Sequence, residues 1–443
     1  MQFFKSLFEP GVVALIGASE KKGKVGNVIF NNLLKADVKV VPVNINTNHF
    51  GLFTKVYERV TDYEGSVDLA IIAIPARFVP SALKDCGEKG IKAVIIISAG
   101  FEEAGNNELS DEIRKICAGY NIEVLGPNCL GIINAKNKLN ASFFEGMVPY
   151  EKIAFVSQSG ALGVAVLDEI INSGNGLSKF LSVGNMLNTY FYEIVQFLEE
   201  DEDTDIICLY VEGLKKGKEF IRVMKHVKKP VIILKAGNTK SGSKAINSHT
   251  GSLAGSSRVY KGVFRQLRVF SADNISEMFS LAHLLMVNKK SEGNNVCIVT
   301  NAGGGGVLAT DACETNGLNI PAIPLIVRKE LDKFLPDSWS RNNPVDVLGD
   351  ADSTRYSNVF KALNNKNFYN ILLCILTPQG MTEPLKTAEA LVNFAKKNKD
   401  KRVFACFMGE RSVKEARECL HKNNILNFKE PYDFARLISK MVN

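Results

Sequence analysis

The sequence has no uninterrupted apolar run long enough to span a bilayer. Its opening residues, Met1-Gln2-Phe3-Phe4-Lys5-Ser6-Leu7-Phe8, lack the basic region and extended apolar stretch of a secretory signal. From these absences the expectation is a cytoplasmic chain without membrane contact. Nor is there a dense basic run with interleaved aromatics. The net charge of +7 comes from lysines and arginines spread along the chain, which suits anionic small molecules and gives no specific reason to expect nucleic acid. Nine cysteines are present, but none forms a CxxC pair, and no His and Cys cluster has metal-ligand spacing. Cys208, Cys297, Cys374 and Cys406 sit inside apolar strand-like runs and read as reduced core thiols. No metal ligand is assigned.

What the chain does have is an ordinary globular composition, 46% hydrophobic and 23% charged over 443 residues, enough for two or three cores. Short Val- and Ile-rich runs alternate with helix-length amphipathic stretches, the pattern of parallel strands buried on both faces. A first set comprises Val12 to Ile16, Val38 to Val43, Leu69 to Ile74, Ala93 to Ser98 and Ile122 to Leu125. Beyond the polar stretch from Ala135 to Glu151, a second set comprises Ile153 to Ser157, Phe180 to Val183, Ile206 to Val211 and Val231 to Lys235. The helical segment Ile275 to Val287 and the turn-rich linker Asn288 to Asn294 precede a third set, Val296 to Thr300, Ile371 to Leu376 and Val403 to Phe407. The expected architecture is α/β, with three doubly wound parallel-sheet domains over residues 1–134, 150–288 and 295–443.

In such sheets ligands gather where strands end and helices begin, and the distinctive residues fall at those ends. After the first strand, Gly17-Ala18-Ser19 leads through Lys24 to Gly26, a turn that lets a ligand approach closely and offers a cation for a phosphate. It is not GxGxxG. Asn44 and its neighbours stand after the second strand, where an NAD enzyme carries an acidic residue, so a dehydrogenase is disfavoured. Ser157-Gln158-Ser159-Gly160 and Thr300-Asn301-Ala302-Gly303-Gly304 open helices whose free N–H groups and dipole favour an anion. Glu212 ends a strand on the same side, where it either orients an imidazole or is a solvated charge; Lys235, ending the next strand, is either an anion ligand or a solvated end. His249, in Ser248-His249-Thr250-Gly251, stands among small hydroxylic residues as a candidate nucleophile toward phosphorus.

Together with Ile74-Pro75-Ala76, Ser98-Ala99-Gly100-Phe101, Gly126-Pro127-Asn128-Cys129-Leu130-Gly131, Val183-Gly184-Asn185, Val211-Glu212-Gly213 and Asn343-Pro344-Val345-Asp346, these segments resemble the NDP-forming acyl-CoA synthetases in family order along nearly the whole chain. The resemblance implies a Rossmann-like CoA-binding domain followed by two flavodoxin-like domains of succinyl-CoA-synthetase type. It implies CoA on Gly17, Ser19, Lys24, Gly26, Asn44, Ile74, Pro75 and Asn128, and phosphate at Ser159, Gly160, Asn301, Gly303 and Gly304. His249 would be the phosphorylated residue and Glu212 its orienting carboxylate. The implied reaction converts acyl-CoA, phosphate and ADP into acid, CoA and ATP. Nucleotide and Mg²⁺ would bind mainly on a separate ATP-grasp beta subunit, in an alpha2beta2 complex with a His249 loop moving between sites. The third α/β unit favours an acetate-type ADP-forming alpha subunit over a succinate–CoA ligase type. A CoA-binding sensor or scaffold without turnover is the rival reading, prompted by Met186-Leu187-Asn188-Thr189-Tyr190 standing where the family tends to place Lys and acidic residues.

Overall fold

The computed structural model describes residues 2–51, 54–173, 175–250, 256–287 and 293–442, without the side chains of 173, 247–250, 287 and 442. Residues 1–282 and 283–443 form two compact units. The stretch expected to link the second and third α/β sets lies mostly outside the described residues.

The first sheet is fully parallel. It orders β2 (Lys39–Val43), β1 (Val12–Ile16), β5 (Leu69–Ile72), β6 (Ala93–Ile96) and β7 (Glu123–Leu125), with a small hairpin of β3 (His49–Phe50) and β4 (Thr54–Lys55) at its margin. The four residues of β5 and of β6 are all buried, as expected when helices cover both faces. The chain runs outward from β1 in one direction and from β5 in the other, so the strand order reverses between them.

The second sheet departs from the expectation of purely parallel strands. Its parallel part orders β14 (Phe270–Ala272), β13 (Val231–Lys235), β12 (Ile206–Val211), β10 (Tyr150–Ser157) and β11 (Leu177–Ser182). An antiparallel hairpin, β8 (Gly131–Asn134) and β9 (Leu139–Ser142), then pairs with β11. This hairpin grows out of the end of the first α/β set and runs through the polar stretch that was read as a connector. It escapes a hydrophobicity pattern because its buried apolar residues, Ile132, Ile133, Leu139 and Ala141, are interrupted by the buried polar Asn134, Asn140 and Ser142. Asn140 donates to the carbonyls of Phe144 (3.0 Å) and Gly146 (2.8 Å) and accepts from the Ser142 hydroxyl at 2.6 Å.

The same hairpin joins the two sheets. Asn32, on the helix after β1, donates to the carbonyls of Ser142 (2.9 Å) and Phe144 (2.8 Å). Asn134 reaches the carbonyl of Phe8 at 3.1 Å, and the rings of Phe4 and Phe8 stack on Phe197 of the second layer. One apolar core therefore contains side chains from both sheets.

The second compact unit has a parallel sheet ordered β16 (Val345–Asp346), β15 (Val296–Thr300), β17 (Ile371–Leu376) and β18 (Arg402–Phe407). The short β16 was not foreseen. It has its own core, which includes Trp339, Tyr356, Phe360 and Tyr369.

Candidate active site

The reversal points of the first two sheets open into one cavity of about 790 Å³. Its wall includes Gly17, Ser19, Lys24 and Gly26 after β1, Ile74 and Pro75 after β5, Asn128, and then Ser159, Gly160 and Glu212 from the second sheet. Nine residues expected at the CoA and phosphate sites thus share one cavity with the candidate orienting carboxylate. Ligand cavities of a few hundred to about 1,000 Å³ at such strand-order reversals are the usual case in α/β proteins.

The β1 turn is shaped by two close approaches. A Cβ on Gly17, whose φ is +95°, would sit 2.4 Å from the Ala73 carbonyl oxygen, and one on Gly26 would sit 1.9 Å from the Gly17 oxygen. The helix Val25–Leu33 thereby begins directly against the strand end, and its first residues, Val25 and Gly26, line the cavity. Lys24 is exposed at this helix start. Asn44 is placed differently from the expectation. It is not among the cavity residues; its amide donates to the Ala18 carbonyl at 2.7 Å and accepts from the Asn46 N–H at 2.8 Å, so it braces the turn while Asn46 lines the cavity.

On the opposite wall, the Ser157 hydroxyl donates to the Ser159 carbonyl at 2.7 Å, and the Ser159 hydroxyl accepts from the Leu162 N–H at 3.3 Å. These bonds hold the start of helix Gly160–Ser173 open toward the cavity. Gln158 crosses to the neighbouring strand end, where its Oε1 accepts from the N–H groups of Glu212 (2.6 Å) and Gly213 (3.0 Å). Glu212 is buried, and burial together with this carboxylate and its hydrogen bond pushes the Tyr210 phenol up to about 12.

His249 falls in the last turn of helix Lys240–Thr250, so its backbone is helical where a flexible loop was expected. Its side chain lies outside the described residues, as do residues 251–255.

The Met186 to Tyr190 segment is part of the scaffold. Met186 and Leu187 are buried, and Asn188 accepts from the Val124 N–H and donates to the Ile122 carbonyl, both at 2.9 Å, closing the edge of the first sheet. Asn185, which lines the cavity, donates to Glu103 and accepts from Asn128 at 3.4 Å. Asn46 and Asn185 were missed as site residues, because short-range glycine patterns point to turns and not to the residues that face them.

The second compact unit repeats the turn chemistry. The Thr300 hydroxyl donates to the Ala302 carbonyl at 2.9 Å, as Ser157 does to Ser159. Asn301 accepts from the Thr377 N–H and donates to its carbonyl, both at 2.9 Å. Asn301 is buried and committed to this tie, while Gly303 and Gly304 are exposed at the start of helix Gly303–Thr315. An anion here would meet the glycine N–H groups. Among the described residues no group of three or more His, Cys, Asp or Glu side chains could hold a metal ion.

Family models match all three α/β sets: a CoA binding domain at residues 11–135, a succinyl-CoA ligase like flavodoxin domain at 151–285 and a Ligase-CoA domain at 296–439. The alpha subunit of ADP-forming acetate–CoA ligase II from Pyrococcus furiosus is 41% identical over 437 residues, covering 97% of this chain and 95% of that one. ADP-forming acetate–CoA ligase I from Archaeoglobus fulgidus is also 41% identical; the match covers 98% of this chain but 62% of that longer relative. The solved structure of the dinucleotide forming acetyl-coenzyme A synthetase 1 of Ca. Korarchaeum cryptofilum, in complex with phosphate and ADP, aligns with a TM-score of 0.91 at 33% identity, over 100% of this chain and 96% of that one. With alpha subunits matched from end to end and all three domain types present in order, the chain belongs to the ADP-forming acetate–CoA ligase family.

Proposed function

We propose that this chain is the catalytic alpha subunit of an ADP-forming acyl-CoA ligase, with acetate as the reference acid. The observation that carries this reading is the shared cavity, in which the Gly17 to Gly26 turn and Asn128 face Ser159, Gly160 and Glu212. CoA fits the first wall, where the two glycine approaches bring the start of helix Val25–Leu33 against the strand end and its N–H groups would take a diphosphate beside Lys24. Phosphate fits the second wall, at the first N–H groups of helix Gly160–Ser173. A phosphate oxygen there attacks the thioester carbonyl carbon, the C–S bond breaks, and CoA leaves as thiolate with acyl phosphate remaining. A neutral His249 nitrogen then attacks phosphorus and releases the carboxylate. Glu212 holds the imidazole tautomer and balances the charge that develops.

The phosphohistidine passes its phosphoryl group to ADP. The Archaeoglobus fulgidus relative extends well beyond the matched region, whereas the Pyrococcus furiosus relative, itself named a subunit alpha, is matched over 95% of its length. A separate ATP-grasp beta subunit, an alpha2beta2 assembly and Mg²⁺ bound with the nucleotide complete the reading. Among the described residues no helix is long and apolar enough to cross a membrane, and the cytoplasm is the proposed location.

The test is phosphorylation of the full chain by radiolabelled phosphate with acetyl-CoA and Mg²⁺, with and without a beta partner. Acid-labile, base-stable label in wild type that is absent from His249→Asn is the expected result. Label that persists in His249→Asn overturns the assignment, and CoA binding without any label under either condition supports the sensor reading instead.

A further inference from the structure

Lys235 is the last residue of β13 and is only 6% exposed, so it is not a solvated strand end. It is not among the cavity residues either; Glu212 forms the wall in front of it. Its ammonium donates to the Glu212 carbonyl at 2.8 Å and to the Ala236 carbonyl, and lies over the Tyr260 ring, 4.7 Å from the centroid.

These partners stand on three segments that the proposed chemistry must align. Glu212 belongs to the turn after β12. Ala236 begins the connection to helix Lys240–Thr250, which carries His249. Tyr260 lies on helix Ser257–Gln266, where the chain returns, and its hydroxyl accepts from the Leu214 N–H at 3.1 Å, back in the Glu212 turn. Asn238 clasps entry and exit together, donating to the Lys235 carbonyl at 2.7 Å and accepting from the Ser257 hydroxyl at 3.3 Å. The Ser243 hydroxyl then fixes the helix start to the Gly237 carbonyl at 2.9 Å.

We propose that Lys235 is a positioning residue for phosphoryl transfer: its ammonium holds the Glu212 turn and both ends of the His249-bearing segment in one mutual geometry without touching substrate. The inference rests on the reading of His249 as the phosphorylated residue. An apolar side chain would fill the same space against Tyr260. It would take away the donor that the Glu212 and Ala236 carbonyls share and the cation that faces the Glu212 turn. Burial lowers the Lys235 pKa, and the nearby Glu212 carboxylate opposes that shift.

The experiment compares wild type, Lys235→Met and Lys235→Arg as full chains, with the beta partner added if wild type requires it for labelling. Three quantities are read: CoA affinity by calorimetry, the rate of phosphate incorporation, and amide hydrogen exchange at residues 213–214 and 236–238. Expected for Lys235→Met is CoA affinity within about twofold of wild type, labelling slowed at least about tenfold, and faster exchange at both segments. Lys235→Arg, which keeps a charged donor, recovers most of the rate. Labelling of Lys235→Met at the wild-type rate overturns the proposal. So does parallel loss of CoA binding and folding in both variants, which marks a plain core residue. If wild type takes no label at all, the His249 reading fails separately. The exchange data still decide the tie: unchanged exchange in Lys235→Met overturns it, and faster exchange supports it.

Discussion

Gln158 holds Glu212 by its backbone: one amide oxygen accepts both the Glu212 and the Gly213 N–H, at 2.6 and 3.0 Å. The residue that precedes the proposed phosphate cradle therefore also sets the height of the proposed orienting carboxylate. Asn301 makes the corresponding crossing to Thr377 in the second compact unit. There the strand end carries a threonine hydroxyl where the first unit has a carboxylate, so the second unit repeats the cradle without the group that would orient an imidazole.

Replacing Gln158 with Leu keeps the volume but strands two buried N–H groups. The expected loss is about 1–3 kcal/mol of stability, measured as a lowered urea midpoint. Label incorporation should fall as well, because Glu212 loses its anchor. A variant as stable as wild type would mean that water replaces the amide oxygen.

Gly26→Ala places a methyl group 1.9 Å from the Gly17 oxygen. The helix start must withdraw, and CoA affinity should weaken at least about tenfold, or ~1.4 kcal/mol, by calorimetry. Gly23→Ala is a useful control for the approach itself, since no atom lies within 4 Å of its added Cβ; its φ of +83° makes the cost there one of backbone strain. Unchanged affinity in Gly26→Ala would place the diphosphate away from this turn.

The Tyr210 phenol titrates at about 12, above its ordinary value near 10, because burial and the Glu212 carboxylate disfavour the phenolate. A raised folded-state pKa means that the folded chain holds the proton more tightly than the unfolded chain. The contribution is complete below about pH 10 and is lost as pH rises through about 12. Other tyrosines share this trend, Tyr192 among them at about 12, so the difference between proteins is the measurement. Tyr210→Phe should lose less stability than wild type between about pH 9 and about pH 11 in urea titrations. Parallel losses would show that the folded chain does not raise the Tyr210 phenol.

Eight of the nine cysteines are buried and only Cys419 is partly accessible. Burial raises the thiols of Cys86, Cys129, Cys208, Cys297 and Cys374, which suppresses the reactive thiolate. A thiol reagent at neutral pH should modify one residue quickly in the native chain and nine after denaturation. Rapid native modification of several thiols would show that a core opens readily.

Much of the scaffold was legible because parallel strands buried on both faces leave uninterrupted apolar runs. Val12–Ile16, Ile206–Val211, Val231–Lys235, Val296–Thr300 and Ile371–Leu376 have the limits that their apolar runs suggest. The β8 and β9 hairpin was not legible, since its buried Asn140 and Ser142 satisfy one another. Turn glycines located the cavity, but the residues contributed from across it, Asn46 and Asn185, carry no local signature. Lys235 was ambiguous for a related reason: a lysine at a strand end looks the same in sequence whether it meets water or three protein segments.

The hairpin that pairs with β11 also decides where this chain can be divided. A cut after residue 134 would leave β8 without its antiparallel partners and strip β11 of a neighbour, exposing an unpaired sheet edge prone to aggregation. Asn32 would lose both carbonyl acceptors. The first two layers are thus a single cassette for expression, domain exchange or gene fusion. Recombination with both cores intact calls for a boundary after helix Ile275–Val287, whose Leu281 and Leu284 are buried, and before β15, where the second core starts at Cys297.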